Sequence, residues 1–467
     1  MKNKTTQANR KQRERLNLKR KNKREILKKQ KISTGKNIAY QMLSAMSNMF
    51  PDFEDELREI EDYRRLSKYE LAEIIMASIV MCLFKEGSRN AMNNDRTIDE
   101  FMNNYEKMFK MKLPHMDTVH AVFKRLDNKE LEKIKDKMIE IMFKKKIFRK
   151  ERFQDYYIIA IDGTGFQSFK KNNEYCLVKT SKNGKESYQV CVLEAKLVTF
   201  NGFAISIATE WIDKEHYDSF NNKQDCESKA FTRISKIIKK KYSHLKICIA
   251  ADGLYPNDTF FTRCKKYHWK YIVTFKDGNL KSLWKDIYKL KEQEYITFLN
   301  EQEKKNCRIS NREYTWFSNL KYRNHSLNYL ECIEENINSK GDKKINTFVH
   351  LTNFPINKKT IAATSNAGRL RWKIENEGFN IQKNHGYALP HKYSRNSYNA
   401  TKNYYQCIQI AHIINQITIL NFRCKELLTG GMTIKHLWKY FIAVLLVGVI
   451  ECEKVEIALN HRTLFKF

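Results

Sequence analysis

Two aspartates each follow a short apolar run directly and precede a glycine. Residues 156–161 lead into Asp162, and residues 246–251 lead into Asp252. Apolar, β-branched runs of this length predict buried strands, so each aspartate is expected to leave the C-terminal end of a strand in a glycine turn. Ligand sites of open α/β sheets lie at that end. One such motif is usually only a turn, but two motifs 90 residues apart predict neighbouring carboxylates.

A third acid is expected in the segment 369–383. If this segment is one regular helix, Arg371 and Glu375 share a face at a four-residue spacing, and Glu377 lies beside the apolar stripe. Glu375 is the predicted third acid and Glu377 the alternative. An ordinary surface ion pair, worth a few tenths of a kcal/mol, is the competing interpretation of Arg371 and Glu375. Clustered carboxylates repel one another, and Mg²⁺ with hard oxygen ligands is their natural counter-ion.

The elements that must position these acids follow the order β-β-β-α-β-α-β from residue 156. Asn201-Gly202 is a strong hairpin signal between the second and third strands. Alternating segments between 285 and 349 predict a small β insertion, and a helix from about 365 to 384 follows it. The remaining predicted elements are strands 187–199, 203–212 and 271–275, helix 224–242, a helix starting near Pro256, and apolar helix over 401–450.

The beginning of the chain has a different composition. Residues 1–36 contain fifteen Lys or Arg and two Glu, a net charge of +13, and are predicted to form a disordered arm. Neutralisation of phosphates and simple solubilisation both remain open as its role. Residues 37–150 show helical periodicity and predict an all-α domain, either a DNA-reading domain or a scaffold.

Charge and composition narrow the choice of partner and compartment. Lys and Arg number 86 against 53 Asp and Glu, a net charge of +33, which favours nucleic acid. The longest uncharged apolar run, Phe441–Ile450, has ten residues where a membrane span needs about 20, so no membrane partner is expected. The eleven scattered cysteines predict reduced, mostly buried thiols, as in a cytoplasmic, nucleoid-associated protein.

Three motifs of the chain resemble those of bacterial insertion-sequence transposases of the DDE type. They are IIAIDGTGFQSF, KICIAADGLYPN and GRLRWKIENEGFNIQKNHG, and the resemblance covers about residues 60–420. In the subgroup with the signature Tyr-x2-Arg-x3-Glu-x6-Lys, Arg371 and Glu375 match the Arg-x3-Glu core. Gly368 occupies the Tyr position and Gln382 the Lys position, with Lys383 one residue late.

The resemblance implies a fold class and a domain order. The implied fold is an α/β catalytic core of the ribonuclease-H-like (retroviral integrase-like) type with a β-strand insertion, an all-α N-terminal domain and a helical C-terminus. The implied regions are a basic arm (1–36), a helical DNA-binding domain (37–150), a catalytic domain (151–284 and 350–420), a β insertion (285–349) and a helical C-terminal region (421–467).

The resemblance also implies a chemistry and its residues. Asp162, Asp252 and Glu375 would bind two Mg²⁺ ions, for which Mn²⁺ substitutes, and use them to cut DNA and join its 3′ end to new DNA. Expected partners are the terminal inverted repeats of the element, target DNA and a second copy of the chain. The alternatives are a metal-dependent nuclease without joining activity and a catalytically inactive DNA-binding relic. The predicted DNA contacts are Arg369, Arg371, Trp372 (although core packing is the commoner use of such a residue), Lys373 and Lys383.

Overall fold

The computed structural model describes most of the chain as two compact units. One unit combines residues up to Ile141 with those from His385 onward, and the other runs from Met142 to Asn384. The predicted arm lies outside the described residues except for 33–36, which already belong to the first helix. The described residues are 33–173, 175–181, 183–214, 224–293, 297–305, 308–339, 341–428 and 432–460.

The chain is a mixed α/β protein. The helices are α1 (33–49), α2 (Phe53–Arg58), α3 (Leu71–Phe84), α4 (Arg89–Asp95), α5 (Asp99–Phe109), α6 (Met116–Phe123), α7 (Asn128–Lys144), α8 (Glu227–Lys241), α9 (Asp258–Tyr267), α10 (Lys281–Glu292), α11 (Ile361–Arg369), a π-helix (Ile374–Asn380), α12 (Ile381–Asn384), α13 (Tyr398–Leu420), α14 (Phe422–Leu427), α15 (Ile434–Val447) and α16 (Cys452–Asn460). The strands are β1 (Tyr157–Phe169), β2 (Leu177–Thr180), β3 (Glu186–Val198), β4 (Ala204–Ile212), β5 (Ile247–Ala251), β6 (Lys270–Thr274), β7 (Thr297–Lys305), β8 (Arg308–Tyr322), β9 (His325–Ile337) and β10 (Lys343–Thr352).

The described part of the first unit consists of helices, with α3 at its centre. All fourteen residues of α3 are buried, because the helix is apolar on every face. It packs against α13, where the side-chain amide of Asn415 donates a hydrogen bond to the carbonyl of Leu83 (3.2 Å). This unit takes in residues 385–420, which the sequence prediction assigned to the catalytic domain.

The second unit is built on one mixed ten-stranded sheet. Its order is β2-β3-β1-β5-β6-β10-β9-β8-β7, and β4 pairs with β3. β1 is antiparallel to β3 and parallel to β5, and β5 is parallel to β6. All five residues of β5 are buried, as expected for a parallel strand covered on both faces. The hairpin predicted at Asn201-Gly202 is present between β3 and β4.

β1 extends further than predicted. The sequence prediction ended this strand at Ile161 in a glycine turn, whereas the strand continues through Asp162 to Phe169. β3 is the physical reason, because its residues 188–197 pair with β1 along both halves. β5 ends at Ala251, so β1 continues beyond its parallel neighbour. From Asp162 onward, the edge of β1 that faces β5 is therefore not paired with β5.

The predicted β insertion is an extension of the same sheet. It begins with α10, which the prediction missed, and contains the four strands β7 to β10. β10 joins it to the core by antiparallel pairing with β6 through residues 350–352. Beyond that ladder, the Asn353 side chain accepts a hydrogen bond from the Tyr271 N–H (3.0 Å) and donates one to the Trp269 carbonyl (3.1 Å).

Replacement of Asn353 by Ala is expected to destabilise the second unit by about 1–3 kcal/mol. The change leaves two partly buried backbone groups beside β6 without their hydrogen bonds. Urea unfolding followed by circular dichroism measures the effect. Lys344→Ala, at an exposed position of β10, is the control and should change stability by less than about 0.5 kcal/mol. Equal stability of the two variants would contradict this account of the junction.

Candidate active site

The parallel pairing of β1 with β5 brings Asp162 and Asp252 together. Ile161 is the register partner of Ala251, so the next residues are Asp162, still on β1, and Asp252, which directly follows β5. Neighbouring strands are about 4.8 Å apart, and residues at equivalent positions of a parallel pair point to the same face. The two aspartates therefore lie near each other where β5 ends, at the carboxyl edge of the parallel strands, and the charge of Asp252 acts on Asp162.

Burial dominates the electrostatics of Asp162. Desolvation raises the pKa of its carboxyl to about 7, Arg371 opposes this shift, and Glu375, Glu227 and Asp252 add to it. A carboxyl with this pKa is substantially protonated at neutral pH. Like-charged neighbours thus surround Asp162, and they favour either a proton or a bound cation there.

Asp252 is held at the surface of the same crevice. Its carboxylate accepts a hydrogen bond from the backbone N–H of Leu254 (2.8 Å), which fixes one oxygen. Lys276 approaches the other oxygen at 3.8 Å, but this lysine is largely exposed and the ion pair is weak.

Glu375 reaches the site from the π-helix. Its Oε1 accepts a hydrogen bond from Nη1 of Arg371 (2.7 Å), and its side chain is half-exposed. The interpretation as an ordinary surface pair is wrong for Arg371, which is only 8% exposed. The Nε of Arg371 has no hydrogen-bond partner among the described residues. A buried guanidinium with a free N–H beside Asp162 suits an anionic ligand such as a phosphate.

Glu377 has a different environment. It forms an ion pair with Lys373 at 3.1 Å, and its second oxygen is buried without a hydrogen-bond partner in the described part of the chain. Glu377 is not among the charges that shift the pKa of Asp162, whereas Glu375 is. Of the two candidate third acids, Glu375 is the one whose charge acts on Asp162.

The helix over 365–384 is not the single regular helix of the prediction. α11 ends at Arg369, and the segment Ile374–Asn380 is a π-helix, whose wider turns accommodate extra residues. The faces downstream are consequently rotated, and Gln382 is fully buried. Lys383 faces the site instead, where its Nζ donates a hydrogen bond to Oγ1 of Thr164 (2.7 Å).

The other predicted DNA contacts have divided roles. Arg369 binds the buried Glu334 (3.0 Å) and stacks over Phe348 at 4.0 Å, so its first role is to attach α11 to the extended sheet. Lys373 is paired with Glu377. Trp372 is 53% exposed, so the core-packing interpretation is wrong and its ring is available to a ligand.

Gly368 occupies a position without space for a side chain. A Cβ there would lie 2.7 Å from Nε2 of His350 and 2.7 Å from Cγ2 of Ile272. His350 is fully buried, and burial lowers its pKa to about 4, so the imidazole is neutral. The Tyr of the signature is therefore excluded by packing.

Sequence reasoning missed Glu227. This glutamate is the first residue of α8, and its carboxylate packs against the backbone of Gly163. Its charge raises the pKa of Asp162, and Asp252 in turn raises the pKa of Glu227 after the larger effect of burial. The only signal for Glu227 in the sequence is an acidic residue at the start of an otherwise basic helix. Acidic residues are common at the N-terminus of any helix, so this signal does not indicate a functional site.

The donor set suits a hard divalent cation. Its groups are carboxylate oxygens, the ligands that Mg²⁺ prefers, and the absence of a side chain at Gly163 lets the carboxylate of Glu227 approach β1. In the described residues, no three His, Cys, Asp or Glu side chains already surround one point that could hold a metal.

Comparison of the chain with protein-family models and with curated proteins gave no match. The described cysteines are free thiols, and all except Cys226 and Cys452 are buried, as predicted. No helix within the described ranges has the length and apolarity needed to cross a membrane.

Replacement of Asp162 by Asn is expected to stabilise the metal-free protein in a pH-dependent way. Because the folded-state pKa is about 7 against an ordinary value of 3.8, Asp162 costs stability as pH rises from about 4 to 7. The Asn variant avoids this cost, so its advantage should grow over that window and then level off. The upper bound is about 4 kcal/mol, at about 1.4 kcal/mol per pKa unit.

Urea unfolding of both proteins in EDTA, at intervals from pH 4 to pH 8, measures this advantage. A difference between the two proteins that stays constant across the range would show that Asp162 has no raised pKa.

Proposed function

We propose that the chain is a DDE transposase that cuts the ends of its own mobile element and joins them to target DNA. The observation that carries the proposal is that Asp162 and Asp252 directly follow the paired residues Ile161 and Ala251 of β1 and β5, with the charge of Glu375 acting on Asp162. Three carboxylates around one crevice are the donor set that metal-dependent phosphoryl transfer needs.

The sheet supports a ribonuclease-H-like, retroviral integrase-like core. Three antiparallel strands (β1, β3 and β4) are followed by β5 and β6, which run parallel to β1 with helices between them. This arrangement agrees with the fold that the motifs imply. The strands β7 to β10 then stand where the family resemblance places an insertion, before the segment that carries Glu375.

The π-helix accounts for the displaced lysine of the signature. The signature expects Lys at residue 382, where this chain has Gln. Extra residues in the turns over Ile374–Asn380 rotate Lys383 to the site, next to Thr164, and bury Gln382. Lys383 thus supplies the charge that the signature places one residue earlier.

Each residue has a distinct task in the proposed reaction. Asp162, Asp252 and Glu375 would hold the divalent cations, and a bound cation would favour the ionised carboxylate of Asp162 over its protonated form. The chemistry that Mg²⁺ would supply there is activation of the attacking oxygen and stabilisation of the leaving oxygen in an in-line displacement. Arg371 donates its free Nε–H to a phosphate oxygen near the scissile bond, and Lys383 adds a point charge. Trp372 offers an exposed face on which a base can stack.

The net charge of +33 supports DNA as the substrate. Residues 1–36 carry +13 of it, and the remaining +20 is spread over the rest of the chain. Such charge contributes an affinity for the DNA backbone that is independent of base sequence and sensitive to salt. Specific recognition of two element ends further implies a homodimer in the complex that pairs them.

Cleavage and joining are tested with a supercoiled plasmid that carries the inverted repeats flanking the gene. Wild-type protein with Mg²⁺ or Mn²⁺ is expected to release the element and attach its ends covalently to new DNA. Asp162→Ala, Asp252→Ala and Glu375→Ala should each lower the rate about 100-fold or more, since the cations supply several kcal/mol of transition-state stabilisation. Glu377→Gln is the matched control on the same helix and should keep most of the activity.

The products distinguish the alternatives. Nicking without joined products would identify a metal-dependent nuclease, and no nicking at any metal concentration would identify a DNA-binding relic. Wild-type activity in all three alanine variants would overturn the assignment of the site.

Lys383→Gln is expected to weaken DNA binding without changing which sequence is preferred. Loss of one phosphate contact should reduce the slope of log K against log salt by about 1. Fluorescence anisotropy with labelled DNA at several salt concentrations measures this slope. Lys344→Gln, on the exposed part of β10, is the control and should leave the slope unchanged. Equal slopes for the wild type and Lys383→Gln would exclude a phosphate contact by Lys383.

A further inference from the structure

An ion pair is buried on β3, on the face of the sheet that the π-helix covers. Glu194 and Lys196 are both fully buried, and Nζ of Lys196 lies 3.6 Å from Oε2 of Glu194. The other carboxylate oxygen, Oε1, accepts a hydrogen bond from Oγ1 of Thr209 (2.6 Å). Buried charges lose their hydration, and an apolar pair of similar size often leaves a fold equally stable or more stable. The stability of the sheet alone therefore does not explain why β3 carries this pair.

The register of the sheet places the ion pair on the face of Asp162. Glu194 is the register partner of Asp162. Lys196 is the partner of Ala160, which shares a core cluster with Ile374 of the π-helix. Register partners of an antiparallel pair point to the same face, with Cβ atoms about 4.5–5.5 Å apart. The ion pair, Asp162 and the π-helix therefore lie on one face of the sheet.

Lys196 is in contact with the π-helix itself. A Cβ on Gly378 would lie 3.1 Å from Cδ and 3.2 Å from Cε of Lys196, so the lysine lies against a helix position that carries no side chain. Its Nζ lies 5.7 Å from the centre of the Phe379 ring. Gly378 and Phe379 are both buried, and the π-helix packs on β1, β3 and β4. The ion pair is thus enclosed between these strands and the helix that carries Glu375.

The placement of this helix decides where several groups of the site lie. Glu375 is its second residue, Arg371 precedes it, and Lys383 follows it. Apolar contacts such as those of Ile374 attach the helix to the sheet, but they are non-directional and tolerate sliding and rotation. A buried ion pair is satisfied in one arrangement only, so it can specify how two elements fit together.

We propose that Glu194 and Lys196 are positioning residues, which hold the π-helix in register over the sheet so that Glu375 and Lys383 reach the crevice of Asp162. Both act through the helix, and neither is assigned a contact with DNA or with a cation. This inference rests on the proposed function, because the reaction assigned to that crevice supplies one of its two readouts.

The test replaces both charges at once by apolar groups of similar size, in the double variant Glu194→Met, Lys196→Met. Removal of one partner alone would leave a buried charge uncompensated and destabilise the whole unit. The matched control is the double variant Lys291→Met, Glu331→Met, which removes the same two residue types from the ion pair (2.6 Å) between α10 and β9. The urea midpoint of the Glu194→Met, Lys196→Met variant is expected to equal or exceed that of the wild type.

The first readout is amide hydrogen exchange of the full-length protein, followed by mass spectrometry, which does not depend on activity. Peptides that cover residues 374–384 are expected to exchange about tenfold faster, or more, in the Glu194→Met, Lys196→Met variant than in the wild type, because the helix opens locally. Peptides from the buried strand β5 should keep their wild-type rate. The control variant should exchange as the wild type does in both regions.

The second readout is single-turnover cleavage of element-end DNA at saturating protein with Mg²⁺. The cleavage rate of the Glu194→Met, Lys196→Met variant is expected to fall about tenfold or more, because small displacements of positioned groups lower rates strongly. The Kd for the same DNA should change by less than about threefold, because the substitution removes one charge of each sign and leaves the net charge unchanged. The control variant should match the wild type in rate and in Kd.

The outcomes separate this inference from the proposed function. No cleavage by the wild type would overturn the proposed function, while exchange over residues 374–384 would still test the ion pair. Wild-type cleavage by the Glu194→Met, Lys196→Met variant would overturn the positioning role and leave the proposed function standing. Faster exchange throughout the second unit with a lower urea midpoint would also overturn that role, because the pair would then stabilise the whole sheet and not the placement of one helix.

Discussion

The parallel register of β1 and β5 is the constraint on which the site depends, because it brings Asp162 and Asp252 to the same edge of the sheet. The hydrogen bonds between β1 and β5 hold the backbones that lead into the two aspartates together, so the surroundings must neutralise the carboxylates. Arg371 does so in part, from a buried position held by Glu375. Burial is the main cause of the raised pKa of Asp162, and the neighbouring carboxylates add to it. The site is thus costly to the fold in the absence of a ligand, as functional sites commonly are.

The sheet makes this arrangement possible because its strands differ in length. β3 pairs with β1 along both halves, while β5 ends beside Ile161. The unpaired edge of β1 beyond that point becomes the wall of the crevice, and its glycine admits a side chain from α8. Had β1 ended in a turn, Thr164 would not be in place to hold Lys383.

Much of this was predictable from the sequence, and the exceptions have physical causes. The two apolar runs that end in Asp-Gly predicted that Asp162 and Asp252 follow neighbouring strands, since such runs are typical of buried parallel strands. Glycines usually interrupt strands, so the extension of β1, which depends on its partner β3, was not visible. Spacing along the sequence assumes a single helical period and cannot reveal a π-helix. The prediction therefore missed that Gln382 is buried and that Lys383 faces the site instead. The exposure of Trp372 and the position of Glu227 arise from packing between distant segments.

The π-helix has a consequence for how the length of this segment can change. Gain or loss of a single codon within Ile374–Asn380 converts between π and α turns, and the helices on either side need not move. The Arg371–Glu375 pair lies near the start of this segment, and the Lys383–Thr164 contact lies after it. An insertion there moves the lysine to a later position of the sequence motif, while its ammonium group keeps its place in the site. Two chains that differ by such an insertion or deletion would have the same side chains in the site. A motif written with a fixed number of residues between them would nevertheless match only one of the two sequences.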